Sequence, residues 1–539
     1  MTSETPILVV GAGPTGLTMA CELARHGAPV RIIDKLPGIV PWCRATGVHA
    51  RSLEIFQDLG VADAFVDEGQ KVLGVSQFAN GKRFLHARFA AVDSPYPFTV
   101  AIGQNRTEQI LEELLNRLGV EVERETELVG TRERLDGLDV SLRRADGSEE
   151  LCATPWLVAC DGAHSTVRHL NRQHFPGEMD PHTFIIADVV FDAPLARDEW
   201  YAWLSDRGVF LSFPLPAGRS LLGGTLPPGC GDRTAPPTIA EIQTLVDEQG
   251  PGSGARVRDP RWLSCFHVHY RHTRHYRHGR TLLAGDAAHV HSFLGGLGMN
   301  TGIQDAYNLA WKLALVTRGC APLSLLDSYE KERWAVAEDV VSQTRAMTDA
   351  LEGFGALDEA QRERLLRQAA VPEAERMDMA RHGEELDLDY RKSPICSEHV
   401  GRHGFEAGPH AGAQAVDVPG LRLAGRRTSL FELLRGPKHG LLLFPGRDPT
   451  VASLAELAGS LHALFGDVID VFRVDAHGCP GARGLEDPDR ALRHRYGATG
   501  ECLYLIRPDG YVGYRSRPAS LPALREYLER IFLPGSEAR

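Results

Sequence analysis

The sequence lacks the features that would mark a dithiol, zinc or disulfide protein. Its ten cysteines run from Cys21 to Cys502 without one C-x-x-C pair. That excludes a zinc ribbon, a dithiol redox centre and a dense disulfide framework, and points to a reducing compartment, the cytoplasm. No apolar run approaches the roughly 18–20 residues that a membrane span needs. The opening Met1-Thr2-Ser3-Glu4-Thr5-Pro6 has neither the basic nor the long apolar region of a signal peptide. Basic tracts are missing too: 59 Lys and Arg stand against 71 Asp and Glu, and the net charge of −12 argues against a nucleic-acid partner. His267, His269 and His272 fall within one short stretch, and His267 and His269 would share a face of a strand. The stretch shows no third ligand with a partner to orient it, so no metal is assigned.

What is present is an ordinary globular composition, 43% hydrophobic and 24% charged over 539 residues, too long for one core and predicting two to three domains. An apolar run of strand length, Ile7–Val10, leads into Gly11-Ala12-Gly13-Pro14-Thr15-Gly16 and then an apolar helical stripe, Leu17, Ala20, Leu23 and Ala24. Gly11 permits the tight turn, Gly13 lets a pyrophosphate approach the backbone, and Gly16 lets helix and strand pack closely. The helix N-terminus offers its free amides to the phosphates. A second apolar strand, Val30–Ile33, ends in Asp34, near the ~20-residue spacing of a carboxylate that accepts from ribose hydroxyls. This fingerprint marks a dinucleotide site and does not choose between FAD and NAD.

Three later segments make the choice: Arg44-Ala45-Thr46-Gly47-Val48-His49-Ala50-Arg51-Ser52-Leu53-Glu54; Ala159-Cys160-Asp161-Gly162-Ala163-His164-Ser165-Thr166-Val167-Arg168; and Gly279 through His289, containing Gly285-Asp286, continuing to Gly295-Gly296-Leu297-Gly298-Met299-Asn300. Together they resemble the class A FAD-dependent aromatic hydroxylases, the family of para-hydroxybenzoate hydroxylase and phenol hydroxylase, over nearly the whole chain. The resemblance implies bound FAD, with Arg44 near the flavin and its phosphates, Gln104 and Asp161 touching FAD, and Asp286 on the ribityl chain. It also implies that Gly298, Met299 and Asn300 present backbone to the pyrimidine end of the isoalloxazine. Ile303, Ala306, Ala310 and Leu313 share one helical face, so Met299 and Asn300 open a helix whose positive end would favour charge on the reduced flavin. Only one dinucleotide fingerprint is present, which fits what the resemblance implies: NADH or NADPH as a transient co-substrate, and O2 reacting through a flavin C4a-hydroperoxide. No side-chain nucleophile is expected, because the cofactor carries the chemistry.

The fold class expected is α/β (α+β): a Rossmann-like FAD-binding domain over residues 1–180 and 280–395, an inserted β-sheet substrate domain over 180–280 with contributions near 72–100, and a C-terminal domain over 400–539. Strands are expected at 184–191, 209–214 and 220–224, with Trp203, Phe210, Phe213 and Leu222 as candidate walls of a substrate cavity. The few charges there lean toward a bulky, apolar aromatic. Phe293 stands where the family usually has proline; its carbonyl and loop are the candidate catalytic features, and its ring makes it a further candidate wall residue. Leu297 replaces a common glutamine. These departures keep an alternative open: the same scaffold used for Baeyer-Villiger insertion, or for non-oxygenating chemistry in which the flavin serves a cyclase or is structural. After residue 400, a strand at 440–444, a leucine-striped helix, a strand at 468–474, a hairpin around Pro508-Asp509-Gly510 and a final helix resemble the thioredoxin-like appendage of the phenol hydroxylase branch. Without C-x-x-C it carries no dithiol chemistry. A monomer or homodimer is expected.

Overall fold

The computed structural model describes residues 6–43, 45–79, 81–205, 207–226, 235–251, 254–356, 361, 373–401, 404–446, 451–475 and 481–533. Its contacts divide the chain into two units: Met1–Cys21, Val30–Ala306 and Ala335–Leu386 in the first; Glu22–Pro29, Tyr307–Trp334 and Asp387–Arg539 in the second.

The first unit is built on two large sheets. One has six strands in the spatial order 277–278, 281–283, 157–159, 7–10, 30–33, 122–123. All its pairings are parallel except the outer pair Arg277–His278 and Thr281–Leu283. The central strand Ile7–Val10 is wholly buried, as expected of an all-apolar run in a parallel sheet. The other sheet has eight strands, in the order 289–290, 256–272, 177–192, 219–225, 208–214, 199–205, 74–79, 82–88. It is antiparallel apart from the pairing of Glu199–Ser205 with Gly74–Ala79. One face of this sheet is covered by the helix Ile239–Gln249, started by a Thr238/Glu241 capping box.

The second unit carries an eight-stranded mixed sheet. Its centre is the parallel pair His439–Phe444 and Ile469–Val474, joined through the helix Val451–Phe465, with the antiparallel hairpin Cys502–Ile506 and Val512–Arg517 alongside. This is the thioredoxin-like order, closed by the helix Leu521–Ile531. The contacts redraw the expected boundary, because residues 307–334 belong with 387–539 rather than with the dinucleotide sheet. The reason is packing: Trp311, Leu315 and Leu325 share one apolar cluster with Leu441, Leu505, Tyr527 and Leu528. Among the described residues no helix is long and apolar enough to cross a membrane.

Candidate active site

The three glycines of the first turn do different things. A Cβ on Gly11, whose φ is +99°, would lie 2.3 Å from the Cys160 carbonyl oxygen, and one on Gly16 would lie 1.9 Å from the Gly11 oxygen. A Cβ on Gly13 would meet no protein atom within 4 Å. Gly11 and Gly16 are therefore glycine because the protein leaves no room, whereas Gly13 borders open space at the start of the helix Pro14–Arg25, where a pyrophosphate fits. Asp34 also braces the turn: its Oδ2 accepts from Ala12 N at 2.7 Å and its Oδ1 from Leu36 N at 2.8 Å. Both oxygens keep lone pairs for ribose hydroxyls.

Glycine also marks where the sequence motifs converge. A Cβ on Gly285 would lie 2.7 Å from Thr15 Oγ1, and one on Gly302 would lie 2.4 Å from the same atom. Arg168 donates to the carbonyls of Ala163 at 2.7 Å and Ala287 at 3.0 Å, clamping the Asp-Gly segment to the Gly-Asp segment. Gly285 N donates to Asp305 Oδ2 at 3.0 Å, and His289 Nε2 lies 2.8 Å from the same oxygen. The sequence reading quoted Arg168 without giving it a role and passed over Asp305; its being the one carboxylate of the helix Leu297–Thr317 was the available signal. Asp161 Oδ2 accepts from Val167 N at 3.1 Å, while the buried Oδ1 has no hydrogen-bond partner among the described residues. Burial raises its carboxyl above the ordinary range, partly offset by the bonds from Ser165 and Val167. Such an orphaned buried acceptor fits a hydroxyl of the dinucleotide. Asp286 is exposed on the short turn Gly285–Ala287.

Gly298, Met299 and Asn300 lie in the first turn of the helix Leu297–Thr317, with Gly298 and Met299 partly exposed. The helix is buried well beyond one stripe: Thr301, Gln304, Asp305 and Asn308 are as buried as Ile303, Ala306, Ala310 and Leu313. Asn300 does more than offer backbone. Its Nδ2 donates to Gly47 O and Gly296 O, both at 2.9 Å, and its Oδ1 accepts from His49 N at 3.0 Å. Gln104 N donates to Ala45 O at 3.0 Å, tying its helix to the same 45–49 segment, and its side chain donates to Glu108 Oε1 at 2.8 Å. Arg44 lies outside the described residues.

The sequence reading missed an acidic pair at the same place. Glu384 accepts from Ala50 N at 2.6 Å and Thr99 Oγ1 at 2.5 Å, and Glu385 accepts from Thr301 Oγ1 at 3.1 Å. Both are buried. Nothing in the local sequence distinguishes two adjacent glutamates from a solvated surface pair.

The eight-stranded sheet divides the expected wall residues between its two faces. Trp203, Phe210 and Leu222 sit in the cluster under the helix Ile239–Gln249, with Tyr201, Ile242 and Val246. Strand side chains alternate, so it is their neighbours Trp200, Ala202, Val209, Leu211 and Phe213 that line the opposite face. Of the four residues expected, only Phe213 faces that way; it meets Trp200 edge-on at 5.3 Å. Phe293 belongs to this face too, edge-on to Phe184 at 5.4 Å and Phe266 at 5.5 Å. Its carbonyl accepts from Gly296 N at 3.1 Å, so the oxygen suspected of a catalytic role closes the loop's own turn.

At the other end of the sheet, His267, His269 and Arg271 alternate along the strand Arg256–His272. His267 Nδ1, His269 Nδ1 and Arg271 Nε are buried without hydrogen-bond partners among the described residues. Burial first, then the charges of Arg271, His267 and His164, hold His269 below the ordinary histidine value. This face sets a guanidinium and two imidazoles close to the Asp-Gly segment.

Comparison with known proteins bears on all of this. Residues 4–344 match the family described as FAD binding domain, and residues 408–534 the family described as Aromatic-ring hydroxylase, C-terminal. The chain is 35% identical over 553 aligned residues to the 6-methylpretetramide 4-monooxygenase of Streptomyces rimosus, covering 98% of this chain and 93% of that protein. Its fold is similar to the solved anhydrotetracycline hydroxylase of Streptomyces rimosus, with a TM-score of 0.77 and 30% identity over 98% of this chain and 99% of that one. It is similar also to an aklavinone-11 hydroxylase solved with FAD and aklavinone, with a TM-score of 0.78 and 25% identity over 98% and 99%.

Proposed function

Since the chain belongs to the FAD-dependent aromatic-ring hydroxylases and is a monooxygenase using NAD(P)H and O2, we propose that its substrate is a polycyclic, polyketide-type aromatic. The observation that carries this reading is the continuous apolar face of Trp200, Ala202, Val209, Leu211, Phe213 and Phe293, without a charged side chain among them to meet a small carboxylate. Gly11, Gly13, Gly16, Asp34, Arg44, Gln104, Asp161, Asp286 and the backbone of 298–300 would hold FAD. Bound FAD supplies the redox chemistry, accepting electrons from NAD(P)H and delivering one atom of O2 to the ring. The protein's share is to bind, orient and keep water out. The apolar face positions the ring system, the Phe293–Gly296 turn borders it, and the N-terminus of the helix Leu297–Thr317 offers a positive end to charge that develops on the cofactor. The enzyme works in the cytoplasm as a monomer or homodimer.

NAD(P)H oxidation by the holoenzyme is expected to be slow alone, to rise with anhydrotetracycline-like polycyclic phenols, and to yield product carrying one atom of labelled dioxygen. Product formed from such a substrate without label and without NAD(P)H consumption would instead establish the non-oxygenating alternative.

The face of His267, His269 and Arg271 supports a second assignment, the docking place of the NAD(P)H pyrophosphate. The Arg271 guanidinium, with the buried nitrogens His267 Nδ1 and His269 Nδ1 on the same strand, favours an anion near the Asp-Gly segment. Arg271→Ala removes one charge-assisted contact of about 1.5–3 kcal/mol. The KM for NAD(P)H should rise roughly tenfold or more while kcat at saturation stays within about twofold. An unchanged KM would remove the assignment.

A further inference from the structure

His49 is buried at the N-cap of the helix Ala50–Leu59, and no step described so far uses it. Its Nδ1 lies 3.6 Å from Glu385 Oε2. On the other side, its Nε2 is 3.3 Å from where a Cβ on Gly296 would sit and 3.5 Å from that of Gly47, with the Trp200 ring centroid 6.0 Å from its own. Neither ring nitrogen has a hydrogen-bond partner among the described residues, and neither has Glu385 Oε2. A buried imidazole and a buried carboxylate thus face each other behind the glycine turn that leads into residues 298–300, which the FAD assignment sets beside the isoalloxazine. The placement is held from several sides. Asn300 links His49 N, Gly47 O and Gly296 O, Thr301 Oγ1 donates to Glu385, and Glu385 itself sits at a φ of +56°, a left-handed conformation that a non-glycine residue keeps only when its surroundings impose it.

We propose that His49, held by Glu385, is a positioning residue for charge: its protonated imidazole stabilises the reduced, negatively charged flavin and couples reduction to uptake of a proton. Reduction by NAD(P)H brings two electrons and one proton to the ring system and leaves it with one negative charge more than before. The balancing proton comes from solvent and resides on His49. The titratable groups facing the imidazole are Glu385 and Glu384, from one segment; the helix start contributes neutral Asn300 and Thr301, and the sheet contributes Trp200. Burial alone would favour the neutral ring, but the Glu385 carboxylate facing Nδ1 and the charge of Glu384 outweigh it and leave the His49 pKa above the ordinary value. The carrying observation remains the geometry, an ion-pair donor and acceptor placed against a glycine turn.

The inference rests on the isoalloxazine lying against residues 298–300, and its test needs no aromatic substrate, so its outcome is separate from that of the substrate assignment. The midpoint potential of bound FAD is measured against pH, by equilibrium reduction with indicator dyes, in wild type, His49→Leu and Glu385→Gln. Wild type should show a bend where the slope steepens, between the His49 pKa with oxidised and with reduced flavin. His49→Leu should lose the bend and bind reduced relative to oxidised FAD at least tenfold more weakly, which is about 30 mV for a two-electron couple. Glu385→Gln keeps the shape and an oxygen for Thr301; without the carboxylate that raises the imidazole pKa, its bend should move to lower pH. That variant carries the test if His49→Leu does not retain FAD. A wild-type potential and bend in His49→Leu, or an unmoved bend in Glu385→Gln, would overturn the proposal, whereas a purely structural role for His49 moves neither.

Discussion

Gly13→Val protein is expected to fold and to come off purification colourless. A Cβ at this position would meet no protein atom within 4 Å, so valine is expected to fill the space assigned to the pyrophosphate rather than to break an internal contact. Losing the amide contacts made there costs at least about 3 kcal/mol, roughly a hundredfold in FAD affinity. Visible absorbance of the purified protein reads retention, and the unfolding temperature should equal that of wild-type apoprotein. Gly16→Val makes the control, because a Cβ there would already lie 1.9 Å from the Gly11 oxygen; that variant should lose both the flavin and thermal stability. Wild-type FAD content in Gly13→Val would show that the pyrophosphate lies elsewhere.

The largest effect on stability is expected from Glu332→Gln. Glu332 is fully buried in the second unit, with Lys312 Nζ at 2.7 Å, Arg507 Nη1 and Nη2 at 2.7 and 2.9 Å, Asn308 Nδ2 at 2.7 Å and Ser393 Oγ at 2.6 Å. Arg507 is shared with Asp509, which also accepts from Trp311 Nε1 at 3.1 Å. Two cations and two carboxylates balance. Burial alone would raise the Glu332 carboxyl, but Arg507 and then Lys312 more than offset it and hold the group well below the ordinary range. Burial pulls Lys312 down to about 8 despite Glu332. The amide leaves one buried positive charge uncompensated, a cost of about 3–5 kcal/mol, visible as a lower unfolding temperature.

The sign with pH follows from the same shift. The folded-state pKa of Glu332 is depressed, so its contribution is present above the unfolded carboxylate value of about 4.3 and is lost as pH falls from there toward the folded value. Glu332→Gln should therefore be less stable at neutral pH, with the gap to wild type narrowing in acid. A gap that stays constant down to strongly acid pH would show that the carboxylate is not what the network needs. The cluster also changes what a C-terminal deletion can mean. Truncation near residue 400 removes Arg507 and Asp509 and takes from Lys312 and Glu332 the charges that balance them.

Much of the dinucleotide site was legible from consecutive residues. The strand Ile7–Val10, the glycine turn, the helix behind it and Asp34 after the second strand all depend on local backbone geometry, which the residue types impose. The start of the helix Leu297–Thr317 was legible for the same reason, as was the β-α-β and hairpin order of the C-terminal sheet. Which face of the eight-stranded sheet a helix covers was not. Trp203, Phe210 and Leu222 are as aromatic or branched as Trp200, Leu211 and Phe213, and nothing within a strand says which of its two faces a helix will cover.

The sequence by itself determined a single glycine-rich turn between strand and helix, the carboxylate that ends the second strand, the glycine and Asp-Gly motifs, and the lack of a C-x-x-C pair, because each is a property of neighbouring residues and their conformational limits. Only the tertiary structure decided that Arg168 and Asp305 bind those motifs together, that Glu384 and Glu385 come to rest beside His49, that Phe293's carbonyl closes its own turn, and that Lys312 and Glu332 complete a charge network with residues near 507. The physical reason is the same in each case. A buried polar group is stable only with partners, and for these residues most of the partners lie far along the chain, so their roles appear only when the packed fold sets the two stretches side by side.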